Sequence, residues 1–278
     1  TSSNVYPISS AHAHIYQSTS ANSLSIVLLI SLVKTPLLSL QHFLTFSATS
    51  PASPFNPNAG YIVGVDIHKK SLSIAVTDFK GHNTYFKDGI DFILQSSESS
   101  IDQMCAIIRQ HTEKAGINES KIRAYGFNIT GRVNKEHGYC FEYFFGEGRT
   151  ITDVLKERLK KPVYVDNDSR AMTYGEYICG VAGNESNMLF FNVTWGLGMG
   201  MITDGKLSYG KSGFSGEIGH MPILNNNQIC QCGKIGCLET GASGYALHRI
   251  FLEKLASGRA SLLADKYRNE TEITLDDI

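Results

Sequence analysis

The spacing of one histidine and three cysteines, His220-x9-Cys230-x-Cys232-x4-Cys237, limits what this chain can fold into more than any other feature. Three thiols and one imidazole this close together can close a tetrahedral Cys3His site, and thiolate with imidazole suits Zn2+. Gly233 and Gly236 let the backbone curl so that all three sulfurs face one point. With four protein ligands and no open position, such a site is structural. Disulfides or ordinary buried thiols are the competing readings. Against them, Cys230 and Cys232 stand too close to bridge each other comfortably, and no secretory signal points to an oxidising compartment. Cys105, Cys140 and Cys179 are isolated and read as small core residues.

The chain around this motif alternates strands with helices. Tyr61–Ile67 is a β-rich apolar run that ends on acid chemistry at Asp66, and Ser71–Asp78 alternates with period two. A third strand fits 84–87. Ser100 and Gln103 form an S-x-x-Q capping box, after which Ile101, Met104, Cys105 and Ile108 recur at helical spacing. Ile122–Ile129 reads as a buried strand. Ile151, Val154, Leu155 and Leu159 make a second helix stripe, closed by Pro162. Val163-Tyr164-Val165 is a short strand running into Asp166-Asn167-Asp168, with helix across 169–182. Strands follow at 188–194 and 198–203, with a possible third at 207–209, and Asp204-Gly205 is a hairpin signal. The pattern predicts two α/β units, the second beginning near residue 187.

Composition separates the start of the chain from the rest. The 278 residues carry a net charge of -1, which gives no sign of a nucleic-acid arm or a polybasic membrane patch. Yet residues 1–65 hold a single charged side chain, Lys34, and residues 1–59 contain 13 Ser and no Gly. The apolar run 24–33 is shorter than the roughly 20 residues a membrane span needs. It also lacks the basic start of a secretory signal, since Lys34 follows it. Residues 1–54 therefore read as a disordered or non-native leader without chemistry. The chain reads as cytoplasmic, with no membrane partner. Asn56-Pro57-Asn58-Ala59-Gly60 is turn chemistry at the entry to the α/β region.

Several carboxylates sit where a polyol could be gripped. Asp168, beside Asn167, lies where a strand opens into a helix, a usual ligand position in α/β sheets; helix capping is the equal alternative. Glu217 and Glu239 flank the metal motif, so a metal knot would hold both on one frame. His220 has two ring nitrogens, and one can face the metal while the other faces a ligand.

These residues resemble the ROK family (repressor, open reading frame, kinase). Gly216-Glu217-Ile218-Gly219-His220 and Cys230-Gln231-Cys232-Gly233-Lys234-Ile235-Gly236-Cys237-Leu238-Glu239 look like its E-x-G-H and C-x-C-G-x-x-G-C-x-E signatures, and Asn167-Asp168 with Gly175-Glu176 looks like the segment carrying the catalytic acid. The resemblance covers about residues 55–278. It implies an α/β, actin-like sugar-kinase (ribonuclease H-like) fold: two α/β units around a cleft, at 55–186 and, in part, 187–278. It also implies that Asn167, Asp168, Glu217, His220 and Glu239 contact a small sugar or sugar phosphate. In kinase members Asp168 would be the base that takes the proton from the attacking hydroxyl, with ATP and Mg2+ as cofactors. Members commonly form homo-oligomers.

Departures from the family pattern set the expectation for function. Kinases carry D-x-G-G-T-K after the first strand; this chain has Asp66-Ile67-His68-Lys69-Lys70-Ser71, without either glycine. Their second phosphate loop, G-T-G-x-G-x-G, is here Thr194-Trp195-Gly196-Leu197-Gly198-Met199-Gly200. Asp66, Gly196, Gly198 and Gly200 are thus the candidates for a degenerate phosphate site. The segment from Phe55 to Asp66 looks like the junction after the winged helix of ROK repressors. Residues 1–54 do not read as that DNA-binding unit, and the family fold needs elements beyond Ile278. The leading expectation is a zinc-stabilised, sugar-sensing domain of a ROK regulator that reaches DNA only through a winged helix. The alternative is a hexose or N-acetylhexosamine kinase; a non-binding remnant is a third reading.

Overall fold

The computed structural model describes residues 13–14, 27–31 and 60–278, apart from 144, 146, 147, 181, 183 and 184. Most of the leader and the turn at 56–59 lie outside the described residues, as does the Cys179 side chain. Within the leader two short strands are described, Ala13–His14 (β1) and Val27–Ser31 (β2).

The first α/β unit is built on a five-stranded sheet. Its strands are Tyr61–Ile67 (β3), Ser71–Asp78 (β4), Asn83–Asp91 (β5), Ile122–Ile129 (β6) and, after a small ribbon of Val133–Asn134 (β7) with Tyr139–Cys140 (β8), Val163–Asn167 (β9). The order is β5-β4-β3-β6-β9. β3 pairs antiparallel with β4 and parallel with β6, which pairs parallel with β9. Every residue of β3 from Ile62 to Ile67 is buried, which is why its sequence is a continuous apolar run rather than an alternation. β5 is the exposed edge and runs longer at both ends than the predicted 84–87.

Two helices cover this sheet. Glu98–Lys114 (α1) buries Ile101, Met104, Cys105 and Ile108, the predicted stripe. Its start differs from the expected capping box. Ser97 is the cap, accepting from the Ser100 backbone N–H at 3.2 Å, while Ser100 Oγ accepts from the Gln95 N–H at 3.0 Å. The apolar period fixes the buried face but leaves the first turn to whichever hydroxyl reaches an open N–H. Ile151–Leu159 (α2) is capped by Thr150 and Asp153 in a reciprocal box and stops at Lys160, whose φ of 53° is left-handed.

The second unit holds Met188–Val193 (β10), Leu197–Thr203 (β11) and Lys206–Leu207 (β12), in a sheet of order β1-β2-β10-β11-β12 with β2 parallel to β10. Asp204 and Gly205 turn the β11–β12 hairpin with φ of 50° and 72°. Asp168–Cys179 (α3) starts at the end of β9 but packs on β10 and β11. A division at 186/187 assigns this helix to the first unit, whereas its packing places it on the second sheet. A smaller core of Met172, Ala182, Met188, Phe190 and Ile202 lies beneath it. Gly244–Ala256 (α4) and Ala264–Arg268 (α5) complete the second unit. No helix among the described residues is long and apolar enough to cross a membrane.

Candidate functional site

His220 ends a single helical turn, Ile218–His220, and the three cysteines lie on a tight knuckle after it. The Cys230 N–H donates to the Lys234 carbonyl at 2.8 Å and the Gly233 N–H to the Cys230 carbonyl at 2.9 Å. Gly233 and Gly236 have φ of 86° and 77°, and a Cβ on Gly236 would strike the Leu224 carbonyl. The ligand atoms of His220, Cys230, Cys232 and Cys237 all lie within 4.8 Å of one another, so the four can hold a metal ion. His220 Nδ1 is 3.4 Å from Cys230 Sγ, and the Cys232 and Cys237 sulfurs are 3.6 Å apart. Both separations approach the edge of roughly 3.7 Å that a tetrahedron with metal–sulfur bonds of about 2.3 Å requires. All three thiols are free of disulfides. Burial, with the neighbouring Cys230 and Cys232 thiols, pushes the Cys237 thiol up from its ordinary value, and a bound cation would favour the thiolate. Cys105 and Cys140 are buried in the first core, as expected.

The three candidate carboxylates stand on different segments. Asn167 is the α3 cap, its side chain accepting from the Arg170 N–H at 3.0 Å, so Asp168 opens the first turn rather than capping it. Asp168 Oδ1 accepts from Asn167 Nδ2 at 3.0 Å and the Ser169 N–H at 2.7 Å; Oδ2 accepts from the Thr130 hydroxyl at 2.9 Å. Glu217 Oε2 is 3.9 Å from His220 Nε2, the ring nitrogen opposite the one near Cys230. Burial pushes the Glu217 carboxyl up to about 7; Arg170 opposes this and Asp168 adds to it. Glu239 Oε2 accepts from the Leu197 N–H at 2.9 Å. The structure thus joins Asn167 to Asp168 and Glu217 to His220, and ties Glu239 to the glycine string.

The degenerate phosphate candidates have other neighbours. Asp66, at the end of β3, is 2% exposed with His68 Nε2 3.5 Å from its Oδ2. A Cβ on Gly196 would sit 2.9 Å from Glu239 Oε2, and on Gly198 or Gly200 it would strike Ser169 or Thr173 of α3. These last two glycines let the helix lie directly on β11.

Sequence reasoning missed the scaffold beneath the acids. Arg170 is 1% exposed: Nε donates to Asp166 at 2.8 Å, and Nη1 and Nη2 to the Gly213 and Val133 carbonyls at 2.7 Å each. The Tyr209 hydroxyl donates to Asp166 at 3.2 Å. Asp166 and Arg170 are four apart, a spacing visible in the sequence. Thr130 carries no such signal, because it reaches Asp168 only through the register of β6 on β9. An open cleft of about 610 Å³ lined by Lys70, Asp91, Phe92 and Gln103, among others, contains none of the candidate residues.

The chain is similar to known proteins in sequence and fold. A model of the ROK family matches residues 62–276. The xylose repressor of Caldicellulosiruptor bescii is 30% identical over 224 residues, 79% of this chain and 55% of that protein. A ROK family transcriptional regulator, homologous to the E. coli MLC protein, superposes with a TM-score of 0.64 at 25% identity, over 80% of this chain and 55% of its own. A ROK family glucokinase from Streptomyces griseus, in complex with glucose and AMPPNP, gives 0.61 at 27% identity, over 72% and 62%. The chain spans about half the length of the repressor it matches. The family model covers more than half of the chain, both Cys/His and acidic signatures fall inside it, and regulators and kinases alike share the fold: the chain belongs to the ROK family.

Proposed function

We propose that the chain carries the sugar-sensing part of a ROK-type transcriptional regulator, stabilised by one structural Zn2+. His220, Cys230, Cys232 and Cys237 would hold the ion, which would supply order to the knuckle and no chemistry. Asn167, Asp168, Glu217, His220 and Glu239 would accept the hydroxyl hydrogens of a small sugar or sugar phosphate, and DNA would be reached only through a winged helix that is not evident in this chain. The proposal places the protein in the cytoplasm, where thiols stay reduced, and a homo-oligomer is expected by family resemblance.

The turn Asp66–Ser71 carries this reading. Where family kinases have two glycines, this turn has His68 and Lys69, and the Lys69 ammonium lies 5.1 Å from the centre of the Trp195 ring in the second loop. Side chains rather than open backbone N–H groups thus stand between the two loops. The kinase reading, with ATP and Mg2+, is favoured instead by Asp168, whose Oδ2 is oriented by Thr130 as a base would need to be.

A paired assay separates the two. D-xylose, D-glucose and N-acetylhexosamines are tested for a rise in melting temperature and for ATP-dependent phosphorylation. The sensor reading expects stabilisation of about 2.7 kcal/mol at a hundredfold excess over Kd without turnover. ADP release that disappears in Asp168→Asn would replace it with the kinase.

A further inference from the structure

Lys69 and Trp195 meet between the two units, one from the β3–β4 turn of the first and the other from the β10–β11 loop of the second. The Trp195 loop is not free to move independently of its surroundings. The Trp195 carbonyl accepts from the Tyr245 N–H at 2.9 Å and the Thr194 carbonyl from the Gly244 N–H at 2.7 Å, which seats the loop on the first turn of α4. The indole packs against Tyr245 and His248, with ring centres 5.7 and 5.6 Å away. Two residues on, the Leu197 N–H donates to Glu239 Oε2. Gly196 lets that carboxylate approach, since a Cβ there would stand 2.9 Å from the same oxygen.

We propose that Lys69 and Trp195 form a brace between the two units that positions Glu239 for the sugar. Lys69 holds the indole from the first unit, and the Trp195 loop holds the carboxylate through the Leu197 N–H. Neither Lys69 nor Trp195 needs to touch the ligand; both are positioning residues. Glu239 can accept a sugar hydroxyl while the Leu197 N–H still donates to its Oε2, so a carboxylate held in place by the brace favours binding, and by linkage a bound sugar favours the Lys69–Trp195 contact. The proposal rests on Glu239 belonging to a sugar site, and it adds a route by which that site reports its occupancy to the first unit.

Trp195 is the sole tryptophan of the chain, so its emission reports on the surroundings of this one indole, with Lys69→Met isolating the contribution of the Lys69 contact. The whole chain is titrated with D-xylose, D-glucose and N-acetyl-D-mannosamine by calorimetry and, in parallel, by intrinsic fluorescence. For whichever sugar releases heat, the emission of the native chain should change in step with binding. Lys69→Met should lower affinity by about two- to fivefold, the range for an exposed cation–π contact, and abolish the emission change. Lys69→Arg, which keeps a cation over the ring, should restore both. Lys69 is exposed, so these variants should fold. Unchanged affinity and an undiminished emission change in Lys69→Met would overturn the brace and leave the sugar site standing, as would failure of Lys69→Arg to restore either. Absence of heat with every sugar would remove the sugar site, and the brace with it.

Discussion

Arg170 is charged and almost wholly buried, which a chain tolerates only when every donor has a partner. Its guanidinium reaches one carboxylate and two backbone carbonyls in different directions, a geometry that an ammonium cannot copy. Arg170→Met leaves the buried Asp166 without its guanidinium partner, with the Tyr209 hydroxyl and the Asn167 N–H still donating to it, and is expected to cost about 3–5 kcal/mol in urea unfolding; Arg170→Lys should rescue little of it. At the proposed metal site, Cys237→Ser would remove one of four candidate ligands, so bound zinc measured by elemental analysis should fall well below one per chain. The two sites differ in legibility. The Cys/His set was readable because its four residues are neighbours in sequence and their spacing is itself the geometry. Thr130 and the Gly213 carbonyl come to Asp168 and Arg170 from distant segments, so nothing near them in the sequence marks their role.

Strands and helices were legible where period and burial agree, as in β3, β4, β6 and the buried face of α1. Their ends were not, because hydrogen-bond partners rather than hydrophobicity decide them: Ser97, not Ser100, caps α1. The Thr150–Asp153 box on α2 went unread for the same reason. The side chain and backbone of Thr150 both donate to the Asp153 carboxylate and hold it below the usual carboxylate range. Its stabilising effect is therefore full at neutral pH and is lost as pH falls through the depressed folded value. Thr150→Val should cost about 1 kcal/mol at pH 7, and the gap from the native chain should narrow at acid pH in parallel denaturant melts. On β11, Gly200→Ala drives a methyl into Thr173 of α3 and should cost about 1–3 kcal/mol. Pairing it with Thr173→Ala should recover part of that loss in a double-mutant cycle.

Over the whole molecule, the two units differ in what supports them. The first has a continuous core under two helices, while the segment carrying Glu217, His220 and Glu239 has few buried side chains, and under the proposed function its order would come from the ion. Removing metal with a chelator should strip hydrogen-exchange protection from 217–240 while leaving β3, β4 and β6 protected; uniform loss would contradict a local role for the ion. The two-unit plan was legible from the order of strands and helices, but the allegiance of α3 was not, since sequence order ties it to β9 and packing ties it to β11. That split allegiance has a mechanical result. Asp168 stands at the changeover, where the chain leaves the first sheet at Asn167 and enters the helix packed on the second. Under the proposed function, a sugar held by this carboxylate would therefore bear on both halves at once.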